Sequence, residues 1–97
     1  MKIIFEPAAR AEFAEAARWY AAEAGRSQAT DFRNEVQRTL ALLVDHPAMG
    51  TPAESNTRHM VVHRYPYFVV YRADADTLRV LALAHQSRRP GYWAGRR

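Results

Sequence analysis

The hydrophobic period of this chain changes once, and that change limits what it can fold into. From Pro7 to Asp45 apolar residues recur at helical spacing; from Arg58 to His85 they alternate or run together as in strands. A chain that lays down its helices first and then its strands cannot build the alternating crossovers of a parallel sheet. It must pack a helical layer on an antiparallel one, an α+β arrangement. With 97 residues it forms one domain, 1–97, with one principal core.

The helical half opens after a short apolar run, Lys2-Ile3-Ile4-Phe5. Glu6 is a poor cap, but Pro7 suits a first helical position, where its missing N–H costs nothing. Ala9, Phe13, Ala16, Ala17, Tyr20 and Ala24 share a face, and Gly25 stops the helix. A second helix is predicted from Ser27, its expected cap, to Asp45, with Ala29, Phe32, Val36, Leu40 and Leu43 as the buried stripe. The join at Gly25-Arg26 is short, so the two helices pair as an antiparallel hairpin. Trp19, on the flank of the first helix, and Leu42, pointing away from the second stripe, are the apolar residues the core accounts for least. Trp19 reads either as a cover for the helix edge or as a contact for another chain.

Pro47, Gly50 and Pro52 end the helices, and Thr51 to Thr57 reads as a polar linker. Three strands are then expected: Arg58–Arg64, Tyr67–Arg72 and Thr77–His85. Their turns fall at Tyr65-Pro66 and at Ala73 to Asp76. The last strand is the most apolar and belongs in the sheet interior. The Lys2–Phe5 run needs a sheet to join. The expected fold is therefore β-α-α-β-β-β, a helical hairpin on a mainly antiparallel four-stranded sheet.

Charge is divided as unevenly as structure. Up to Thr57, six basic residues face eight acidic ones, a net of −2; from Arg58 onward, eight arginines face Asp74 and Asp76, a net of +6. Arginine's planar donor fork suits carboxylates, phosphates and stacked rings, so the second half is where an acidic or phosphate-rich partner belongs. The chain has no cysteine, which excludes disulfides, thiolate metal sites and thiol chemistry. No segment reads as a signal peptide or membrane span, and a cytoplasmic protein is expected. No glycine-rich phosphate loop, serine–histidine–carboxylate set or paired catalytic carboxylates can be assembled. His59 and His63 share a strand face but stand about 13 Å apart along it, too far to ligate one ion, so no metal and no cofactor is expected.

The richest stretch is Ala82 to Arg97, where cations and aromatics crowd the end of the last strand. Arg79 and His85 fall on one face by strict alternation, with Arg88 and Arg89 just beyond. His85 reads as a hydrogen-bonded strand-end residue or as a general acid–base. With Arg88 to stabilise charge and Tyr92 to hold a base, it could make a metal-free phosphodiester-cleaving site.

These segments, in order, resemble the RelE/ParE superfamily of toxins from type II toxin–antitoxin pairs, and specifically its ParE-like branch. The matching pieces are PAARAEFAEAARWYAAE, ATDFRNEVQRTLALLVDHPAMG with its Pro47-x-x-Gly50 ending, RYPYFVVYR, and VLALAHQSRRPGYW. The resemblance implies the same β-α-α-β-β-β fold. It also implies a small, acidic, labile antitoxin with a DNA-binding N-terminal half, which wraps the toxin and carries any contact to promoter DNA. Trp19 and Leu42 are the expected antitoxin contacts. Arg58, Arg64, Arg72, His85, Arg88, Arg89, Tyr92 and Trp93 are the expected target-binding surface.

Within the superfamily, RelE-like members cut messenger RNA on the ribosome and ParE-like members poison DNA gyrase without being enzymes. Arg88 matches the terminal arginine of the nucleases and Tyr92 their terminal tyrosine. Their strand lysines have no counterpart, and their third-strand arginine falls at Phe68. Three functions are thus open: a ParE-like gyrase poison, a ribosome-dependent nuclease using His85, Arg88 and Tyr92, and a non-toxic member that only binds its antitoxin and helps repress their promoter.

Overall fold

The computed structural model describes residues 1–96. The chain runs β1 (Lys2–Phe5), α1 (Pro7–Ala24), α2 (Arg26–Asp45), a 3-10 turn (Pro47–Met49), β2 (Thr51–Ala53), β3 (Thr57–Val61), β4 (Tyr67–Ala73) and β5 (Thr77–His85). The four expected strands are joined by a fifth, giving the sheet order β1-β5-β4-β3-β2. β1 pairs with β5 in parallel and every other neighbour is antiparallel. The most apolar strand, β5, lies inside the sheet as its composition demands.

Pro7 opens α1 as anticipated, and Glu6 makes no cap bond; its carboxylate instead accepts from Arg79 at 2.7 Å. Ala9, Ala16 and Ala17 are buried, and Phe13 and Tyr20 pack against the core. Ala24, expected on the same face, is exposed together with the whole turn from Ala21. Gly25, at φ 97°, reverses the chain in one residue. That left-handed geometry suits glycine and starts α2 at Arg26, so Gly25 replaces the expected Ser27 as the N-cap, with no side-chain bond. The α2 stripe Ala29, Phe32, Val36, Leu40 and Leu43 is buried as read. Each large member contributes about 1.5–3 kcal/mol by leaving water.

The expected polar linker contains β2. Its three residues pair with β3 through a tight turn in which Ser55 and Asn56 take positive φ, 61° and 58°. Pro52 fits because β2 is the sheet's edge, where a missing N–H leaves no ladder bond unmade. β3 in turn stops at Val61, short of the expected Arg64. Val62 N–H already turns back to the Tyr67 carbonyl at 2.8 Å, and Arg64 is left-handed at φ 72°. His63 therefore lies in the turn and shares no strand face with His59.

A β-bulge reorganises β5. Val70 pairs with Ala82 and Tyr71 with Val80, leaving Leu81 as the extra residue. Before it, Leu78 and Val80 face the helices; after it, Leu83 does, while Ala82 and Ala84 join a second cluster on the open face. The bulge overturns the expectation that Arg79 and His85 share a face. Arg79 lies opposite Arg72 on the open side, whereas His85 pairs with Tyr67, which packs toward the helices.

The open-face cluster consists of Val70, Ala82, Ala84 and Trp93, with Ala53, Phe68 and Tyr92 against it. A domain of this size thus has a core between sheet and helices and a smaller one under its C-terminal segment.

Candidate functional site

The site is built where β5 ends. Gln86 N–H bonds back to the Pro66 carbonyl at 2.9 Å, and Arg88 N–H to the His85 carbonyl at 3.0 Å, so the chain turns at once. Gly91, at φ 80°, then runs so close to the Glu54 carboxylate that a side chain would collide with it. Tyr92 and Trp93, which follow, pack over the open face of the sheet.

Tyr92 is fixed from several sides. The Arg88 guanidinium lies 4.0 Å from its ring centre and that of Arg96 5.2 Å. Its hydroxyl donates to Glu12 Oε2 at 2.9 Å. Burial, then the Glu12 bond, push its phenol well above the ordinary tyrosine value. It holds its proton and a partner. Trp93 is only 7% exposed and belongs to the open-face core, so the expectation that it meets a target directly does not fit its position. Its indole N–H is buried and has no acceptor among the described residues.

His85 Nδ1 accepts from the Ser87 amide at 3.0 Å, with the Ser87 hydroxyl 2.8 Å away. A backbone N–H can only donate, so the neutral ring carries its proton on Nε2. His85 and Arg88 border two hollows. One is an open-face cavity of ≈ 270 Å³ that also includes His59, Phe68, Tyr92 and Trp93. The other, a groove of ≈ 300 Å³, runs along α1 past Glu15, Ala16, Trp19 and Tyr67. Trp19, 57% exposed, thus shares a groove with His85 and Arg88 from far along the chain. Phe68 stacks on His59 at 4.5 Å and 13°, giving the cavity an aromatic floor.

The remaining arginines of the expected target surface are elsewhere and are engaged within the chain. Arg58 donates to the Gly50 carbonyl at 2.7 Å, and Arg72 to the Ser55 carbonyl at 2.8 Å. Both sit toward the far end of β4 from the Tyr67–His85 pair. Arg64 reaches to α2, with Asp31 at 2.9 Å and Glu35 at 3.0 Å. The structure therefore brings together His85, Arg88, Tyr92 and Trp93, with Arg89 exposed beside them, and leaves Arg58, Arg64 and Arg72 apart. Leu42, 44% exposed, lies near the C-terminus of α2 and Trp19 near that of α1, so antiparallel packing puts them at opposite ends of the hairpin.

Two residues of the site, Glu12 and Arg96, were not singled out from the sequence. Their link spans 84 positions, and one carboxylate on a mixed helix flank carries no local signal of it. Among the described residues no three histidines, aspartates or glutamates gather as a metal site would need.

No curated protein is similar enough in sequence to count as a relative. A solved structure described as the chromosomal ParDE toxin–antitoxin system from P. aeruginosa is similar in fold, with a TM-score of 0.76 at 18% identity. The match covers 88% of this chain and 95% of that one. The family model for the ParE toxin of the type II toxin–antitoxin system parDE matches residues 3–90. With strands, helices and the His85–Trp93 finish all in the expected order, this chain belongs to the ParE toxin family of type II toxin–antitoxin systems.

Proposed function

We propose that this toxin acts in the cytoplasm by poisoning DNA gyrase and is held inactive by a cognate antitoxin. The partner is a small, acidic, labile protein whose N-terminal half binds DNA, so that any promoter contact of the toxin is made through it. The toxin binds its target and catalyses nothing.

The observation that favours binding over RNA cleavage is the state of Tyr92. A nuclease built on His85, Arg88 and Tyr92 needs the tyrosine free to meet substrate. Here its hydroxyl is given to Glu12 at 2.9 Å and its ring lies against two guanidinium groups. Phe68 adds to this, because the open face between His59 and Ala84 offers an aromatic floor where charge stabilisation would need a cation.

The deciding experiment is induced expression without antitoxin, following plasmid supercoiling and mapping transcripts together. Loss of negative supercoiling with intact transcripts is the expected result. Codon-positioned cuts in translated messages would replace this reading with the nuclease, and absence of growth arrest would leave a member that only binds its antitoxin.

A further inference from the structure

One carboxylate joins the C-terminal segment to the edge of β5. β1 pairs with β5 only as far as Val80, where Glu6 N–H meets the Val80 carbonyl at 2.9 Å. Beyond that point α1 has begun, and side chains meet the edge. Leu83 N–H donates to Glu12 Oε1 at 3.1 Å, and the Leu81 carbonyl accepts from Arg96 Nη1 at 2.9 Å. Arg96 also grips the Glu12 carboxylate through both terminal nitrogens, at 2.9 and 3.2 Å. An ion pair thus stands where a neighbouring strand would.

Glu12 receives a further bond from the Tyr92 hydroxyl, so backbone amide, phenol and guanidinium all donate to one group whose side chain is 17% exposed. Only an ionised carboxylate is acceptor on every side; a carboxamide would turn a donor toward one of these donors. The Tyr92 ring carries the Arg88 guanidinium at 4.0 Å. A chain of contacts therefore runs from Glu12 through Tyr92 to Arg88, the exposed cation beside His85.

We infer that Glu12 is a positioning residue, which fixes the C-terminal segment through Tyr92 and Arg96 so that Arg88 is presented to the toxin's target. The inference rests on the proposed function in taking the Arg88 surface as the one that meets the target. It does not depend on that target being gyrase. Glu12 itself faces the C-terminal segment, where Tyr92 and Arg96 meet its carboxylate.

The test is a double-mutant cycle scored by the inducer level needed to arrest growth. Glu12→Gln should raise that level about tenfold in an otherwise unaltered toxin, the scale of one lost charge-assisted hydrogen bond. On an Arg88→Ala background it should add little, because the residue it works through is already gone. Exchange of the Leu83 amide should quicken while the Val69 and Val70 amides stay protected. Absorbance titration should show the Tyr92 phenol ionising nearer its ordinary range. Glu23→Gln, exposed on the same helix, serves as the control.

Equal loss of potency with and without Arg88 would overturn the inference, as would wild-type potency despite a quickened Leu83. If Glu12→Gln also loosens Val69 and Val70, Arg96→Gln decides, since it leaves the Leu83 amide its bond to Glu12. It must cost potency in the wild type and little on the Arg88→Ala background; any other pattern overturns the assignment. Supercoiling, read in parallel, separates the two failures. An unaltered plasmid with a non-additive cycle rejects gyrase alone, and lost supercoiling with an additive cycle rejects only the role of Glu12.

Discussion

The amide of Gly50 donates to the hydroxyl of Tyr71 at 2.9 Å, and that hydroxyl donates onward to the Pro47 carbonyl at 2.6 Å. The pair ties the end of the helical half to the middle of the sheet, with Tyr71 fully buried. A Cβ on Gly50 would stand 2.5 Å from the Tyr71 oxygen, so closeness, not backbone freedom, requires the glycine. Gly50→Ala should destabilise the fold by about 1–3 kcal/mol through overpacking. Tyr71→Phe should cost about as much by leaving an amide and a carbonyl unmatched. Urea unfolding checks both, and a neutral Gly50→Ala would count against the closeness of the contact.

Arg64 spans from the β3–β4 turn to Glu35, whose side chain is 5% exposed and whose Oε1 has no hydrogen-bond partner among the described residues. Arg64→Ala leaves that carboxylate with only the more distant Arg38 and should lower the denaturation midpoint, less than breaking a fully buried pair would because the arginine is half in water. Arg38, 3.8 Å from the same carboxylate and 69% exposed, should matter far less when replaced. Comparing the two denaturation midpoints tests the ranking.

Acid should loosen the same corner. The Tyr65 hydroxyl, bonded at 2.5 Å, and the Arg64 guanidinium hold the Asp31 carboxyl below the usual carboxylate range. A carboxyl depressed in the folded state stabilises above its unfolded value, near 3.8, and that contribution fades as pH falls through the lower folded value. Asp31→Asn should therefore melt earlier than the wild type at pH 7 and lose less on acidification. Melting curves from neutral pH downward will show the two proteins converging, and a constant gap between them would contradict the assignment.

Trp19 is 57% exposed and meets the Tyr20 ring edge-on, and Leu42 is 44% exposed. Trp19→Ala should alter stability by less than about 0.5 kcal/mol. It should weaken binding of the cognate antitoxin about tenfold or more, with Leu42→Ala weakening it less. Calorimetric titration of antitoxin into each variant reads this directly. Unchanged affinity in the tryptophan variant would place the antitoxin elsewhere.

Arg88→Ala and Arg89→Ala should each reduce growth arrest more than His59→Ala does. His59 is held flat against Phe68 at 4.5 Å, whereas both arginines are exposed at the end of β5. Equal potency of the three variants would remove the C-terminal surface from consideration.

The helices were legible because Phe32, Val36, Leu40 and Leu43 repeat a period that burial on one face imposes. The strands were legible through β-formers and turn residues. β2 was hidden, since Thr51-Pro52-Ala53 is short, carries proline, and owes its pairing to a turn made by Ser55 and Asn56. The bulge at Leu81 was hidden because β5 is apolar on both faces there, so a slip in phase leaves no mark in the pattern. Proximity in sequence was enough to place His85, Arg88 and Tyr92 around one cavity. It could not bring Trp19 or Glu12 to them, because only the packing of α1 beside β5 does that.

The position of β5 sets the order in which the molecule can assemble. β1 finds its partner only in Thr77 to Val80, so the first strand made must wait for almost the last. Until then Ile3, Ile4 and Phe5 have a helical hairpin nearby but no sheet to join. A chain folded without Thr77 to His85 would therefore leave β1 without a partner and β4 with an open edge. Closure of the sheet through β5 and completion of the Arg88 surface just beyond it therefore depend on one stretch of chain, so whatever delays the pairing of β5 delays both.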